Sequence, residues 1–137
     1  MLNITSRANY GLRAMLELAL HFNQGVLQGG ELSKKGDIPK NYLEQLLNVL
    51  KKTGLIQSLR GNKGGYKLSR PPENISLSEI IHSLEGPANT SYSYPKNDAI
   101  KQCYIKAEHA LASVFQISLR ELLNEQEKID KQLTFYI

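Results

Sequence analysis

The chain carries few side chains equipped for covalent chemistry. Its histidines are His21, His82 and His109, and its one cysteine is Cys103. Cys103 and His109 stand six residues apart, about 240° around a helix, so they do not face each other as nucleophile and base. His82 and Glu85 would offer a metal two ligands, where a structural zinc site takes about four. A lone cysteine makes no internal disulfide, and a reducing cytoplasm is the expected compartment. The residues that do group suit the binding of a polyanion. In "RGNKGGYKL", residues 60–68, Arg60 and Lys63 are interleaved with Gly61, Gly64 and Gly65 before an apolar alternation resumes at Tyr66 and Leu68. Glycine permits positive φ and close approach of the backbone to a ligand. Arg and Lys are drawn to phosphates and to the electronegative minor groove. A nucleotide-phosphate loop would run into a helix and carry Gly-Lys-Ser/Thr; this one runs into a strand. The competing reading is a flexible hairpin with incidental charge.

The charge distribution supports the polyanion. The 137 residues carry a net charge of +4. Residues 1–70 hold eleven Lys/Arg against four Asp/Glu, and residues 71–137 hold six against nine, so the first half is basic and the second mildly acidic. A basic half points to nucleic acid, or else to a solvated lysine surface. No apolar run reaches the roughly 18 residues of a membrane span, so no membrane association is expected. The N-terminal stretch is interrupted by Arg7, Arg13 and Glu17 and lacks a small-residue cleavage site, so it is not read as a signal peptide.

The elements that must position these groups are legible as periodicities. Residues 5–22 read as a helix capped by Thr5 or Ser6, residues 30–36 as a short second helix, and residues 40–53 as a third. The third carries the apolar stripe Leu43, Leu46, Leu47, Leu50 and closes at Gly54. Leu55 to Leu59 and Tyr66 to Leu68 read as strands around the glycine-rich loop. A capping box, Ser76 with Glu79, opens a helix that a Gly86-Pro87 pair stops. "ANTSYSYPKN" reads as a loop. Residues 97–116 are expected to form the longest helix, about 30 Å. Ser118 and Glu121 make a second box, opening a short helix "LRELLNEQ" before a tail "KQLTFYI".

Helix, short helix, tight turn, amphipathic helix and two-stranded hairpin is the order of a winged helix-turn-helix, whose second motif helix lies in the major groove. Here that helix is residues 40–53, with Lys40, Asn41, Glu44, Gln45, Asn48 and Lys52 outward. Asn and Gln suit adenine, Glu accepts from cytosine, and Lys suits guanine or phosphate. The same face is also simply the polar side of an amphipathic helix. On the helix over 97–116, Ile100, Cys103, Tyr104, Ala107, Leu111 and Val114 form an apolar seam close to a heptad. Such a seam needs a partner; a second copy of the chain would present two reading helices to a palindromic site. The expected fold is mainly α with a small β-hairpin. A winged helix-turn-helix DNA-binding domain spans residues 1–86. A loop, long dimerisation helix and C-terminal tail span 87–137.

"TSRANYGLRAMLELA" and "YLEQLLNVLKKTGLIQSLRGNKGGYKLSRPPENISLSEIIHSLEG", with the long helix after them, resemble the Rrf-two (Rrf2) family of bacterial transcription regulators across essentially the whole chain. The resemblance implies a homodimeric winged-helix regulator, not an enzyme, that binds a palindromic double-stranded operator and blocks polymerase. Asn41, Tyr42, Glu44 and Gln45 would match its reading helix, and Arg60, Gly61, Gly64 and Gly65 its wing. Ser6, Arg7 and Tyr10 would match a basic N-terminal segment on the DNA backbone, though Asn9 stands where arginine is usual. Many members hold an iron–sulphur cluster with three cysteines in the loop after "LEGP" and at the start of the long helix. That loop here contains none, so no cofactor is expected. The lack of these cysteines and the aromatic-Tyr-Ile ending are similar to the cluster-free, CymR-like branch that represses cysteine metabolism. In that branch the resemblance implies cysteine synthase as a partner, gripping the tail Phe135, Tyr136, Ile137; packing of the tail on the dimer helix is the alternative. A further alternative is an interaction module of the same fold that has lost DNA binding.

Overall fold

The computed structural model describes residues 5–85 and 96–136. Helix α1 (Ser6–Leu20) begins where the Thr5 hydroxyl accepts from the Ala8 amide at 3.1 Å. Its helical repeat buries Ala8, Gly11, Ala14, Met15, Leu18 and Ala19. It ends before residue 22 because the chain turns left-handed at Asn23, φ 67°. Helix α2 (Gly29–Gly36) stops at Asp37, which takes the left-handed conformation usually left to glycine. Helix α3 (Lys40–Lys52) buries the predicted stripe Leu43, Leu46, Leu47 and Leu50. Gly54, at φ 83°, terminates it as expected.

Strands β1 (Ile56–Leu59) and β2 (Gly65–Leu68) pair antiparallel, with Gln57 opposite Lys67 and Ser58 opposite Tyr66. A third rung comes from outside the hairpin: Leu27 and Tyr66 exchange backbone hydrogen bonds of 2.9 and 2.8 Å. This ties the wing to the α1–α2 connection.

A 3-10 turn (Pro72–Asn74) precedes α4 (Leu77–Glu85). Helix α5 (Ala99–Val114) is capped by Asp98, whose carboxylate accepts from the Lys101 amide at 3.0 Å. Both predicted capping boxes form. The Glu79 amide donates to Ser76 Oγ and the Glu121 amide to Ser118 Oγ, each at 3.1 Å. The two boxes also face each other, because Ser76 and Ser118 form an antiparallel bridge. Leu77 and Ser78 donate to the carbonyls of Ile117 and Phe115, and Leu119 donates to that of Ile75. The junction between α5 and the last helix, α6 (Leu119–Tyr136), is thereby pinned to the domain.

The sequence reading fails in one region. Helix α6 has 18 residues and is longer than α5 with 16. The expected short helix and tail are one continuous helix. Its extension is polar but pairs at i, i+4: Gln126 with Asp130 at 2.9 Å, Glu127 with Lys131 at 3.4 Å.

The core is a single apolar cluster under α1, α3, α4, the hairpin and the first turns of α6, with Met15, Leu32, Leu50, Ile75, Ile80 and Leu119 inaccessible to solvent. Among the described residues Leu123 is the last buried one of α6, and α5 buries none. Most of the predicted loop before α5, the Gly86-Pro87 stop, the 86/87 domain boundary and Ile137 lie outside the described residues.

Candidate nucleic-acid interface

Burial of its leucine stripe turns the opposite face of α3 to solvent. Lys40, Asn41, Glu44, Gln45, Asn48, Lys51 and Lys52 are all exposed. The helix starts at Pro39, which makes no side-chain cap, and its first turn holds no acidic residue but does hold Lys40. A cation at the positive end of a helix dipole is unfavourable in isolation and suits a site where an anion arrives. Tyr42 is half-buried and packs edge-on against Tyr10 of α1, ring centroids 5.4 Å apart. This contact brings one residue of the expected N-terminal segment against the first turn of α3.

The other two N-terminal residues differ in role. Ser6 is exposed. Arg7 is partly buried, and its Nε donates to the Leu84 carbonyl at 2.8 Å, clamping the end of α4. Thr5 reaches the neighbouring Glu85 carboxylate by a hydrogen bond. Arg7 therefore has an intramolecular task that its charge alone did not reveal.

At the wing, Arg60, Gly61, Asn62 and Lys63 form an exposed tip. Gly61 sits at φ 103°, and the Gly64 amide donates to its carbonyl at 2.9 Å. Gly64 is buried, and a Cβ there would lie 2.1 Å from the Leu59 carbonyl oxygen. At Gly65 a Cβ would lie 2.4 Å from the Leu27 oxygen. These two glycines are required by the closure of the hairpin and by its rung to Leu27. Gln28 Nε2 donates to the Asn62 carbonyl at 3.2 Å and ties the tip to the start of α2.

The electrostatics fit the geometry. Among the described residues the ion pairs are Arg70–Glu79, Arg120–Glu73 and Lys131–Glu127. None uses a cation of the α3 face or the wing tip, so that charge is left for an external anion.

The expected dimer seam is also exposed. Ile100 and Val114 are 66% and 67% accessible, Cys103, Tyr104 and Ala107 are exposed, and Leu111 is half-buried. Cys103 is thus not a core residue of the single chain. In the second half of α6, Ile129 and Leu133 are also exposed, a surface the sequence reading did not single out. Their i, i+4 spacing was the available signal.

A two-stranded wing following a tri-helical unit whose third helix presents a polar, basic face defines a winged helix-turn-helix protein of the DNA-binding class. The chain belongs to the Rrf2 family, described as iron-dependent transcriptional regulators, whose pattern matches residues 4–130. It is 32% identical to the transcriptional regulator IscR of Xenorhabdus nematophila, over 94% of this chain and 84% of the relative. It is 30% identical to the transcriptional regulator CymR of Bacillus subtilis, over 99% of this chain and all of the relative. The solved structure of B. subtilis CymR, the global cysteine regulator, superposes with a TM-score of 0.83 and 31% identity, covering 91% of this chain and 98% of CymR. No helix among the described residues is long and apolar enough to cross a membrane.

The family's iron dependence meets a poor donor set here. The whole sequence has one cysteine, exposed on α5. Among the described residues no group of three or more His, Cys, Asp or Glu could hold a metal ion. A thiolate-held cluster does not fit these residues.

Proposed function

We propose that the chain is a homodimeric, cluster-free repressor acting on DNA in the cytoplasm. In this reading α3 enters the major groove, with Asn41, Glu44 and Gln45 at base edges and Lys40 on phosphate. Tyr42 and Tyr10 brace its first turn, Ser6 lies on the DNA backbone, and Arg7 holds α4 beneath them. The wing sets Arg60 and Lys63 against the minor groove or its phosphates. Gly61 keeps the tip narrow enough to approach, while Gly64 and Gly65 hold its shape. The observation that carries the reading is the shared exposure of an uncompensated basic α3 face and wing tip on a fold of the Rrf2 family.

The dimer of this reading forms through α5 and the outer half of α6, supported by the exposure of Ile100, Tyr104, Val114, Ile129 and Leu133 within one chain. A two-fold across them gives two reading helices and a palindromic operator, and occupancy of the operator excludes polymerase. Residues 1–86 would then form the reading unit and 87–137 the dimer unit. A signal acts by changing the separation of the two heads, a population shift.

Cysteine metabolism is the regulon this reading favours, on the likeness to CymR and the missing cluster ligands. Cysteine synthase is the matching partner, received through Phe135, Tyr136 and Ile137. Phe135 is 85% exposed near the end of α6, which supports a role for its ring in that contact. Deleting residues 135–137 is expected to abolish capture of the enzyme and leave operator binding unchanged; unchanged capture overturns that partnership.

The DNA reading is tested by selecting bound fragments from the source genome with wild type and Arg60→Ala. Wild type is expected to enrich a palindrome beside cysteine-pathway genes. Arg60→Ala is expected to bind that palindrome more weakly, with a salt slope shallower by about one. Failure of wild type to enrich any sequence overturns the reading in favour of an interaction module.

A further inference from the structure

A cleft of about 360 Å³ lies where the base of the wing meets the end of α1, away from α3 and the wing tip. Its size is at the lower end of the range of small-molecule sites. Phe22 and Tyr66 are among its walls, and His21, Lys67 and Arg70 also line it. No Asp or Glu lines it. Arg70 donates from a guanidinium nitrogen to the Glu79 carboxylate at 3.0 Å.

The sheet edge supplies a further feature. The Ser69 amide donates to Leu55 at 3.0 Å, which fixes the phase of the β1–β2 ladder. By the alternation of an antiparallel pair, the amide and carbonyl of Tyr66 and of Leu68 then point to the outer edge of β2. Tyr66 is met there by Leu27. Gly25, the residue that would meet Leu68, turns away at φ 89° after Asn23 at φ 67°. Leu68 has no backbone partner on that edge among the described residues. The cleft is lined by Asn23, Gly25 and Leu68 as well as by the cations.

We propose that this cleft is a binding site for a small organic carboxylate with a short aromatic or branched apolar body. The body packs against Phe22 and Tyr66, and the carboxylate accepts from the Leu68 amide within the field of His21, Lys67 and Arg70. Charge-assisted bonds to backbone N–H and to Arg or Lys are the stronger class of such contacts. Since Tyr66, Lys67 and Leu68 belong to β2, an occupant would reset the wing, a consequence that rests on the DNA-binding reading. The binding itself does not.

The test is a titration of the ¹⁵N-labelled full chain, free of DNA, with phenylacetate and separately with phenylacetamide. Phenylacetate is expected to shift the amides of residues 21–25 and 66–70 saturably, and phenylacetamide to bind at least about tenfold more weakly for want of the charge. The double variant Lys67→Gln/Arg70→Gln, its fold checked by the same spectra, is expected to weaken phenylacetate about tenfold. Absence of saturable shifts, shifts confined to another surface, or equal binding of acid and amide overturns the proposal. DNA affinity measured with and without phenylacetate then reads the coupling to the wing separately.

Discussion

At the scale of single residues, the wing glycines separate two reasons for the same residue type. Gly61 sits at a positive φ with nothing within 4 Å of where a Cβ would stand, so its requirement is conformational. Gly64 faces the Leu59 carbonyl, 2.1 Å from the place a Cβ would take, so its requirement is space. Gly64→Ala is expected to cost about 1–3 kcal/mol, as overpacking does, read from the urea midpoint. Glu17 illustrates a different residue-scale effect. It is half-buried on α1, and burial raises its pKa above the ordinary carboxylate range, with Lys35 opposing the rise. A raised folded-state pKa means that the native state binds the proton more tightly than the unfolded state. The stabilising contribution is therefore present at low pH and lost as pH rises through the folded pKa. Glu17→Gln is expected to remove this loss, so that its stability advantage over wild type grows with pH across that window in urea titrations.

At the scale of elements, the first three helices and the hairpin were legible because each has one face on a single core. Leu43, Leu46, Leu47 and Leu50 state the helical period of α3 outright, and Thr5, Gly54 and the Ser-Glu boxes mark ends by local hydrogen bonding. The outer half of α6 was not legible as a helix. Among the described residues it buries nothing after Leu123, and the polar pairs Gln126–Asp130 and Glu127–Lys131 run along the helix itself. The bridge from Leu27 to Tyr66 was equally hidden, since one rung has no periodicity. Of the candidate interface, the α3 face and the exposed wing tip were legible from charge and spacing; the clamp of Arg7 on Leu84 was not, because a carbonyl acceptor carries no sequence signal. Helix α5 buries no residue within the chain, so replacing its apolar seam leaves the fold intact while removing the surface proposed for the partner. Ile100→Asp/Val114→Asp is expected to retain the helical circular dichroism of the wild-type fold and to sediment at the 15.4 kDa chain mass, against twice that for wild type. A dimeric double variant would place the interface elsewhere.

At the scale of the whole molecule, the basic first half and the mildly acidic second half separate the proposed tasks. The cations of α3 and the wing tip are exposed and take part in none of the ion pairs among the described residues, which lie around α4, the 3-10 turn and α6. In the proposed reading, charge of that kind gives affinity that falls steeply with salt, while the polar side chains of α3 select among sequences. In the proposed dimer, a two-fold axis through α5 and α6 would double the reading surface without any change in either head. The most direct measurement is a pair of footprints of the wild-type protein on its selected operator, dimethyl sulphate reading guanine N7 in the major groove and hydroxyl radical reading the sugars along the minor groove. The account predicts two protected major-groove patches related by a dyad, with centres a whole number of helical turns of about 10.5 base pairs apart, each flanked by minor-groove protection that Arg60→Ala removes. A single patch without a dyad, or protection that Arg60→Ala leaves unchanged, would contradict it.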